Sequence, residues 1–191
     1  MREGVKAMEA SLCRHFKRMR SKLGYALSIL PVELKDDENR NARREAADLL
    51  SHDEFVLAID VLREISGLAN KFPLSAALIG QAEHEISAFT PCLLEVSTVT
   101  VRLDEVRDWA GFHDVFQRQL SFPAYYGANM DAWIDCLEDH VGVIDGRIVI
   151  SIEGWRSFAT RAQEIATAMV ECLAFLNHER KAVSICLELD T

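Results

Sequence analysis

The sequence lacks the features that mark several common classes of protein. Its five cysteines are odd in number and include no CxxC pair, so neither a disulfide framework nor a zinc ribbon is indicated. No uncharged run reaches the ~18 residues that a membrane span requires, and no apolar signal segment opens the chain. These absences predict a protein of the reducing cytoplasm with no membrane span.

Basic residues are also in the minority. The 191 residues include 21 Lys and Arg against 30 Asp and Glu, a formal net charge of −9. Because nucleic-acid binding depends on Lys and Arg to neutralise phosphates, this balance argues against a direct nucleic-acid partner and favours a cationic one. Only residues 1–24 differ, with seven basic and two acidic residues.

Motifs for catalysis are missing as well. The chain has no Gly-rich phosphate loop and no GxSxG elbow. Cys136 and His140 are spaced i,i+4 and could suggest a metal pair or a thiol with its base, but no spacing supplies the remaining ligands of a zinc site. We interpret Cys136, like Cys172 and Cys186, as a small packed hydrophobe. We therefore expect no enzyme, no cofactor and no metal.

The first part of the chain, residues 1–90, is predicted to be helical. An amphipathic basic helix is indicated over residues 5–23, where apolar residues recur at steps of three or four: Val5, Met8, Leu12, Phe16, Met19 and Leu23. Four basic residues lie off that stripe: Arg14, Lys17, Arg18 and Lys22. Such a helix could lie on a membrane or a nucleic acid. We favour docking on its own protein or on a sister subunit, which would make a homo-oligomer through this helix.

A linker and a second helical block complete this region. The run KDDENRN, residues 35–41, predicts a linker because nothing in it can be buried. A helical block over 49–88 is predicted to begin at a capping box formed by Ser51 and Glu54 and to restart at Pro73. Residues 49–86, with acidic residues before an Ala-Ile-x-x-Leu core and a second helix led by proline, resemble small all-helical immunity proteins of bacterial toxin loci.

Beyond a boundary at FTPC, residues 89–92, the pattern changes. Strands are predicted at 97–103, 147–152 and 182–189, separated by helices over 105–120, 129–141 and 154–178. Strands that alternate with helices imply parallel pairing. The sequence thus predicts an α/β domain over 92–191 with a three-stranded parallel sheet and crossover helices, preceded by an all-helical region.

The segment FPAYYGANMDAWIDC, residues 122–136, contains an unfavourable pair of charges. Asp131 and Asp135 share one helix face, and like charges at this spacing cost roughly 0.2–0.5 kcal/mol. Something other than helix stability must favour them. Gly127 and Asn129 fit a turn that leads to an N-cap. Of the two adjacent tyrosines, we expect one to pack inward and the other to face a partner.

Residues 97–191 resemble the barstar family of cytoplasmic inhibitors of a secreted bacterial ribonuclease. The resemblance is densest over FHDVFQRQLSFPAYYGANMDAWIDCL, residues 112–137. It implies that the loop and the following helix insert into the active site of a basic nuclease. The partner-binding residues would then be Tyr125, Gly127, Asn129, Asp131, Ile134, Asp135 and His140.

The sequence also departs from the family pattern. Trp133 precedes Ile134, whereas the family usually has an aliphatic residue and then a tryptophan, and His140 replaces another tryptophan. Either Glu171 or Glu179 could supply the acidic contact expected from the last helix. The resemblance implies an immunity protein that neutralises a ribonuclease-type toxin. The alternative is an adaptor or regulatory protein that uses the same fold to bind another protein.

Overall fold

The computed structural model describes residues 2–31, 34, 36–65, 67–87, 95–142, 146–179 and 183–190. Some side chains near the ends of these ranges, including those of His140 and Glu179, lie outside the described part. The chain divides into two compact units, Met1–Pro91 and Cys92–Thr191. Within the described residues, no helix is both long and apolar enough to cross a membrane.

The N-terminal unit is helical, as the sequence predicts. Its described helices are α1 (Arg2–Ser28), α2 (Asp37–Ser51), α3 (Phe55–Arg63), α4 (Leu68–Lys71) and α5 (Pro73–Ser87). Helix α1 packs against α2, α3 and α5, and α2 packs against α3. The predicted restart of a helix at Pro73 is confirmed, since proline is well suited to the first helical turn.

The predicted linker at 35–41 is wrong, because α2 already begins at Asp37. Asp36 caps this helix: its carboxylate accepts the backbone N–H of Asn39 at 2.7 Å and the side-chain amide of Asn39 at 2.8 Å. Asn39 is buried, and so are Ala42 and Ala46 on the same side of the helix. Polar residues therefore form the cap and first turn of a helix here.

The predicted capping box of Ser51 and Glu54 is also wrong. Ser51 is the last residue of α2, and its hydroxyl donates to the carbonyl of Asp48 at 2.7 Å. Glu54 precedes α3 but makes no side-chain capping bond. The two residues belong to the end of one helix and the start of the next.

Helix α1 buries charge that an amphipathic pattern would leave outside. Lys22 and Glu85 form an ion pair at 2.7 Å with both side chains fully buried. Gln81 donates to the other carboxylate oxygen of Glu85 at 3.1 Å, and Arg18 is only 1% exposed. The apolar stripe is buried at Met19 and Leu23 but exposed nearer the start of the helix.

The C-terminal unit has the predicted α/β architecture. Its described elements are β1 (Glu95–Arg102), α6 (Trp109–Gln119), α7 (Met130–Gly142), β2 (Gly146–Glu153), α8 (Trp155–Arg161), α9 (Gln163–Glu179) and β3 (Val183–Leu189). The strands lie in the order β1-β2-β3 and both pairs are parallel. This confirms the predicted three-stranded parallel sheet.

One face of the sheet is apolar, whereas the opposite face carries polar residues towards the carboxyl ends of the strands. Val101, Ile152 and Leu189 lie side by side across the three strands and are buried. One residue earlier in each strand, Thr100 is exposed, and Ser151 and Glu188 are half-buried. Helix α6 packs on β1 and α9 packs on β3. The apolar face therefore carries the core from which the following loop and helix project.

Candidate partner-binding site

The loop between α6 and α7, residues 120–129, is tied to the end of α6. The N–H of Phe122 donates to the carbonyl of Gln117 at 3.0 Å, and the side-chain amide of Gln117 donates to the carbonyl of Pro123 at 3.3 Å. The N–H of Tyr126 donates to the carbonyl of Pro123 at 2.9 Å, which closes a turn. We call residues 122–129 the contact loop. These bonds give it a defined conformation before any partner arrives.

A buried polar pair fixes the middle of the contact loop. The imidazole Nδ1 of His113 on α6 hydrogen-bonds the hydroxyl of Tyr126, and both residues are buried. The indole of Trp109 stacks on the imidazole, with ring centroids 6.0 Å apart, and Phe122 meets the phenol edge-on at 5.1 Å. Aromatic packing therefore surrounds the hydrogen bond on both sides.

The protonation states of this pair follow from its burial. Burial lowers the pKa of His113, because the charged imidazolium would be desolvated. Burial also raises the pKa of Tyr126, and the nearby thiol of Cys136 raises it further. A neutral imidazole and a protonated phenol result, so the phenol can donate its proton to Nδ1.

Tyr125 points the opposite way. Its side chain is 85% exposed, whereas that of its neighbour Tyr126 is 8% exposed. The expectation that one tyrosine packs inward is confirmed for Tyr126. An exposed phenol on an ordered loop has a large apolar ring and a polar tip to offer to a partner.

The end of the contact loop starts α7. The side-chain oxygen of Asn129 accepts the backbone N–H of Ala132 at 2.9 Å, which confirms the predicted N-cap. Ala128 adopts a left-handed conformation at φ 48°. A Cβ atom on Gly127 would lie 3.1 Å from the side-chain nitrogen of Asn129, so glycine leaves room for the cap. Gly127 and Asn129 therefore fix the start of α7. Both residues are also exposed, so a partner could contact them.

Helix α7 separates its packing residues from its acidic residues. Trp133 and Leu137 are buried, and the indole of Trp133 lies 5.8 Å from the ring of Phe112 and 5.2 Å from that of Phe116. The exposed side holds three carboxylates spaced i,i+4, which we call the acidic row: Asp131, Asp135 and Asp139. Ile134 is half-buried at the edge between the two sides.

Helix α9 brings further residues to this acidic surface. Burial raises the pKa of the Cys172 thiol most, and the negative charges of Glu171 and Asp131 raise it further. One thiol on α9 thus lies within electrostatic range of carboxylates on both α7 and α9, and the two helices pack together. Glu171 is exposed. The last helix therefore presents an acidic side chain near the start of the acidic row.

Phe175 is an exposed residue that the sequence analysis missed. It lies one turn beyond Glu171 on α9 and its side chain is 53% exposed. The buried residues of this helix follow another stripe that includes Met169, Val170 and Leu173. Because Phe175 lies off that stripe, its position in the sequence already indicated that its side chain would be exposed. A large apolar side chain beside carboxylates is a common feature of protein-binding surfaces.

The surroundings of Cys136 on α7 disfavour the thiolate form of its side chain. Burial raises the pKa of Cys136, and the carboxylates of Asp139 and Asp135 raise it further. A raised pKa keeps the thiol protonated and unreactive. Among the residues whose side chains are described, no group of three or more His, Cys, Asp and Glu converges in a way that could hold a metal ion.

The predicted partner-binding residues fall into two sets. The structure describes six of them on the contact loop and the first two turns of α7: Tyr125, Gly127, Asn129, Asp131, Ile134 and Asp135. The side chain of His140 lies outside the described part. Of the two candidates on α9, Glu171 is described and exposed, whereas the side chain of Glu179 is outside the description.

Comparison with known proteins agrees with this architecture. A family model described as Barstar (barnase inhibitor) matches residues 96–190, from the first strand to the end of the last. No curated protein matches the chain. Residues 96–190 therefore form a domain of the Barstar family.

Proposed function

We propose that the protein inhibits a basic ribonuclease by inserting the contact loop and the acidic row into the nuclease active site, and that it serves as an immunity protein against a ribonuclease-type toxin. One observation carries this proposal: a phenol that is 85% exposed, on Tyr125, stands on an ordered loop next to a helix with three exposed carboxylates. The family membership supports the class of partner.

The chemistry of the target explains the acidic row. A ribonuclease active site is a cationic pocket suited to phosphate, and a carboxylate can take the phosphate position by accepting paired hydrogen bonds from arginine. Asp131 lies in the first turn of α7, where the helix dipole already stabilises it. Asp135 lies one turn further on and gains less from the dipole. We therefore assign the larger contribution to binding to Asp135.

The anchored loop supports tight binding. The hydrogen bonds at Gln117, Pro123 and Tyr126 order the backbone on either side of Tyr125. An ordered loop loses less conformational entropy when it binds than a disordered one does. We propose that Tyr125 and Asn129 contact the nuclease beside Asp135, and that Glu171 and Phe175 contact it from α9.

We place this encounter in the cytoplasm. The described cysteines, Cys13, Cys136, Cys172 and Cys186, are all free thiols, which suits a reducing compartment. An inhibitor there would protect the cell from nuclease that has not been exported or that has entered from outside.

An inhibition titration tests the proposal. Purified full-length protein is added in increasing amounts to barnase and, separately, to a panel of other small basic ribonucleases, while cleavage of a fluorogenic RNA is followed. We expect at least one nuclease to lose its activity at a stoichiometric ratio. Undiminished cleavage by every nuclease in the presence of excess protein would contradict the proposal. A complex that forms without loss of cleavage would favour the adaptor function instead.

A further inference from the structure

Phe175 on α9 is an apolar side chain that the fold of the C-terminal unit does not use. Its side chain is 53% exposed, and the other large exposed hydrophobic residue in the described part of this unit is Tyr125. The buried residues of α9 lie on a different stripe of the helix. A single exposed phenylalanine needs no explanation by itself. The surroundings of this one give it a meaning.

The helices around Phe175 carry charge of one sign. Helices α7 and α9 together contain seven Asp and Glu and no Lys or Arg. Among the described residues, no ion pair neutralises a carboxylate of the acidic row. The two helices pack together, and Cys172, three residues before Phe175, lies within electrostatic range of both Glu171 and Asp131. The phenyl ring therefore belongs to an acidic surface that has no cations of its own.

Phe175 also occupies the middle of the α9 side from which an acidic contact is expected. Glu171 lies four residues before it and Glu179 four residues after it, so the three positions share one side of the helix. These two glutamates are the candidates for the acidic contact of the last helix. Because the residue between them is apolar, a partner that meets this turn of α9 should offer it an apolar recess instead of a cation.

The charge of this surface restricts what can cover it. A second copy of the same surface would bring like charges together, and the negative surface of a bilayer would repel it. A cationic partner that also has an apolar recess complements it. A groove that binds single-stranded RNA has this composition, because cations hold the phosphates while apolar and aromatic side chains stack on the bases.

We propose that Phe175 is a specificity-determining residue whose phenyl ring enters a base-binding recess of the target nuclease, beside the phosphate sites that the acidic row fills. This inference rests on the proposed inhibition of a ribonuclease and adds a base-like contact to the phosphate-like ones. The acidic row then attracts basic nucleases in general, and Phe175 discriminates among them. A nuclease whose recess is too small for a phenyl ring would be bound weakly.

The first test uses the nuclease that the full-length protein inhibits in the titration described above. In isothermal titration calorimetry, Phe175→Ala should raise the dissociation constant of the complex about tenfold or more, whereas Phe175→Tyr, which keeps an aromatic ring, should stay within about threefold of wild type. Leu57→Ala is the matched control, because Leu57 is 51% exposed but belongs to the N-terminal unit. Equal binding by Phe175→Ala and wild type would overturn this inference and leave the proposed inhibition intact. Failure to inhibit any nuclease would contradict both.

Competition by small probes identifies the recess. Guanosine, adenosine, cytidine and uridine have a base but no phosphate, and each is added at a concentration that saturates its own site on the nuclease. At least one nucleoside should weaken the binding of wild type and weaken that of Phe175→Ala much less, because the base and the phenyl ring need the same recess. Inorganic phosphate is the opposite probe, and it should weaken the binding of both proteins equally.

Added salt separates the apolar contact from the charged ones. The loss caused by Phe175→Ala should be independent of salt, whereas the loss caused by Asp135→Ala should shrink as salt screens the charges. Nucleosides that compete equally with wild type and Phe175→Ala, or with neither, would overturn the inference, as would a Phe175→Ala loss that disappears in salt. All variants are first compared in thermal melting, and Phe175→Gln replaces Phe175→Ala if the latter melts below wild type.

Discussion

The side chains of His113 and Tyr126, thirteen positions apart, share a hydrogen bond inside the C-terminal unit and join α6 to the contact loop. Neither residue is more than 8% exposed. The exposed Tyr125 is directly bonded through the backbone to this buried anchor. The conformation of the contact loop therefore depends on a buried hydrogen bond that no partner can reach.

Removing the hydroxyl of Tyr126 should loosen this anchor. In Tyr126→Phe the ring still packs, but the Nδ1 of His113 loses its buried partner, which costs about 1–3 kcal/mol. We expect a lower free energy of unfolding in urea denaturation and weaker inhibition. Tyr125→Phe is the matched control, since it removes an exposed hydroxyl and should leave stability unchanged. Equal stability of Tyr126→Phe and wild type would contradict the role of the hydrogen bond.

The same pair predicts how stability changes with pH. Burial lowers the pKa of His113 in the folded protein below its ordinary value of 6.5. The unfolded chain therefore binds a proton in a pH range where the folded chain does not, and stability should fall as the pH drops below 6.5 towards the folded-state pKa. Urea denaturation of wild type and His113→Gln across this range isolates the effect. A stability difference between them that is independent of pH would contradict it.

Truncating Asp135 should damage binding without damaging the fold. We expect Asp135→Ala to weaken inhibition by more than about 2 kcal/mol, the size of an interface hot spot. The melting temperature of this variant should be unchanged or slightly higher, because removing the carboxylate ends its repulsion with Asp131 and Asp139 on the acidic row. Asp114→Ala removes an exposed carboxylate of α6 and serves as the control. Equal inhibition by Asp135→Ala and wild type would refute the phosphate-site assignment.

The division of the chain into two units predicts an autonomous fragment. A fragment that starts at Cys92 contains the whole sheet, the contact loop and α9. We expect it to melt cooperatively and to bind the same nuclease as the full chain, since it has its own core. Circular dichroism melting and a binding titration check this. A fragment that is unfolded in isolation would show that residues 1–91 are needed to complete the core.

Breaking the buried ion pair of the N-terminal unit should be costly. Lys22→Met leaves the carboxylate of Glu85 fully buried without its cation, and such a loss typically costs 3–5 kcal/mol, so we expect about that decrease in the free energy of unfolding. The double variant Lys22→Met/Glu85→Leu should recover much of it, because no lone charge remains. Equal destabilisation by the single and double variants, measured in urea, would contradict this explanation.

The sequence predicted the fold of the C-terminal unit well but the N-terminal unit less well. Alternating β-branched residues and i,i+4 apolar residues are local signals, and they predicted the three strands and the helices between them. The start of α2 was missed because Asp36 and Asn39 act as a cap, and their polarity was interpreted as a linker. The burial of Lys22 could not be predicted, since its partner Glu85 lies 63 positions away.

The candidate site was predictable to a similar degree. The shared helix face of Asp131 and Asp135 and the helix cap at Asn129 depend only on neighbouring residues, so both could be predicted from the sequence. The choice of which tyrosine packs inward was not local, because it depends on His113 on another helix. The exposure of Phe175 did have a local signal, because Phe175 lies off the buried stripe of α9.

The two sides of α7 separate what the fold must keep from what can change. Trp133 and Leu137 are locked among other core residues, whereas substitutions at exposed positions such as Asp131 and Asp139 usually alter stability by only about 0.5 kcal/mol or less. Under the proposed function, single substitutions on this exposed face would change which nuclease is bound, while Trp133 and Leu137 keep the helix packed on its core.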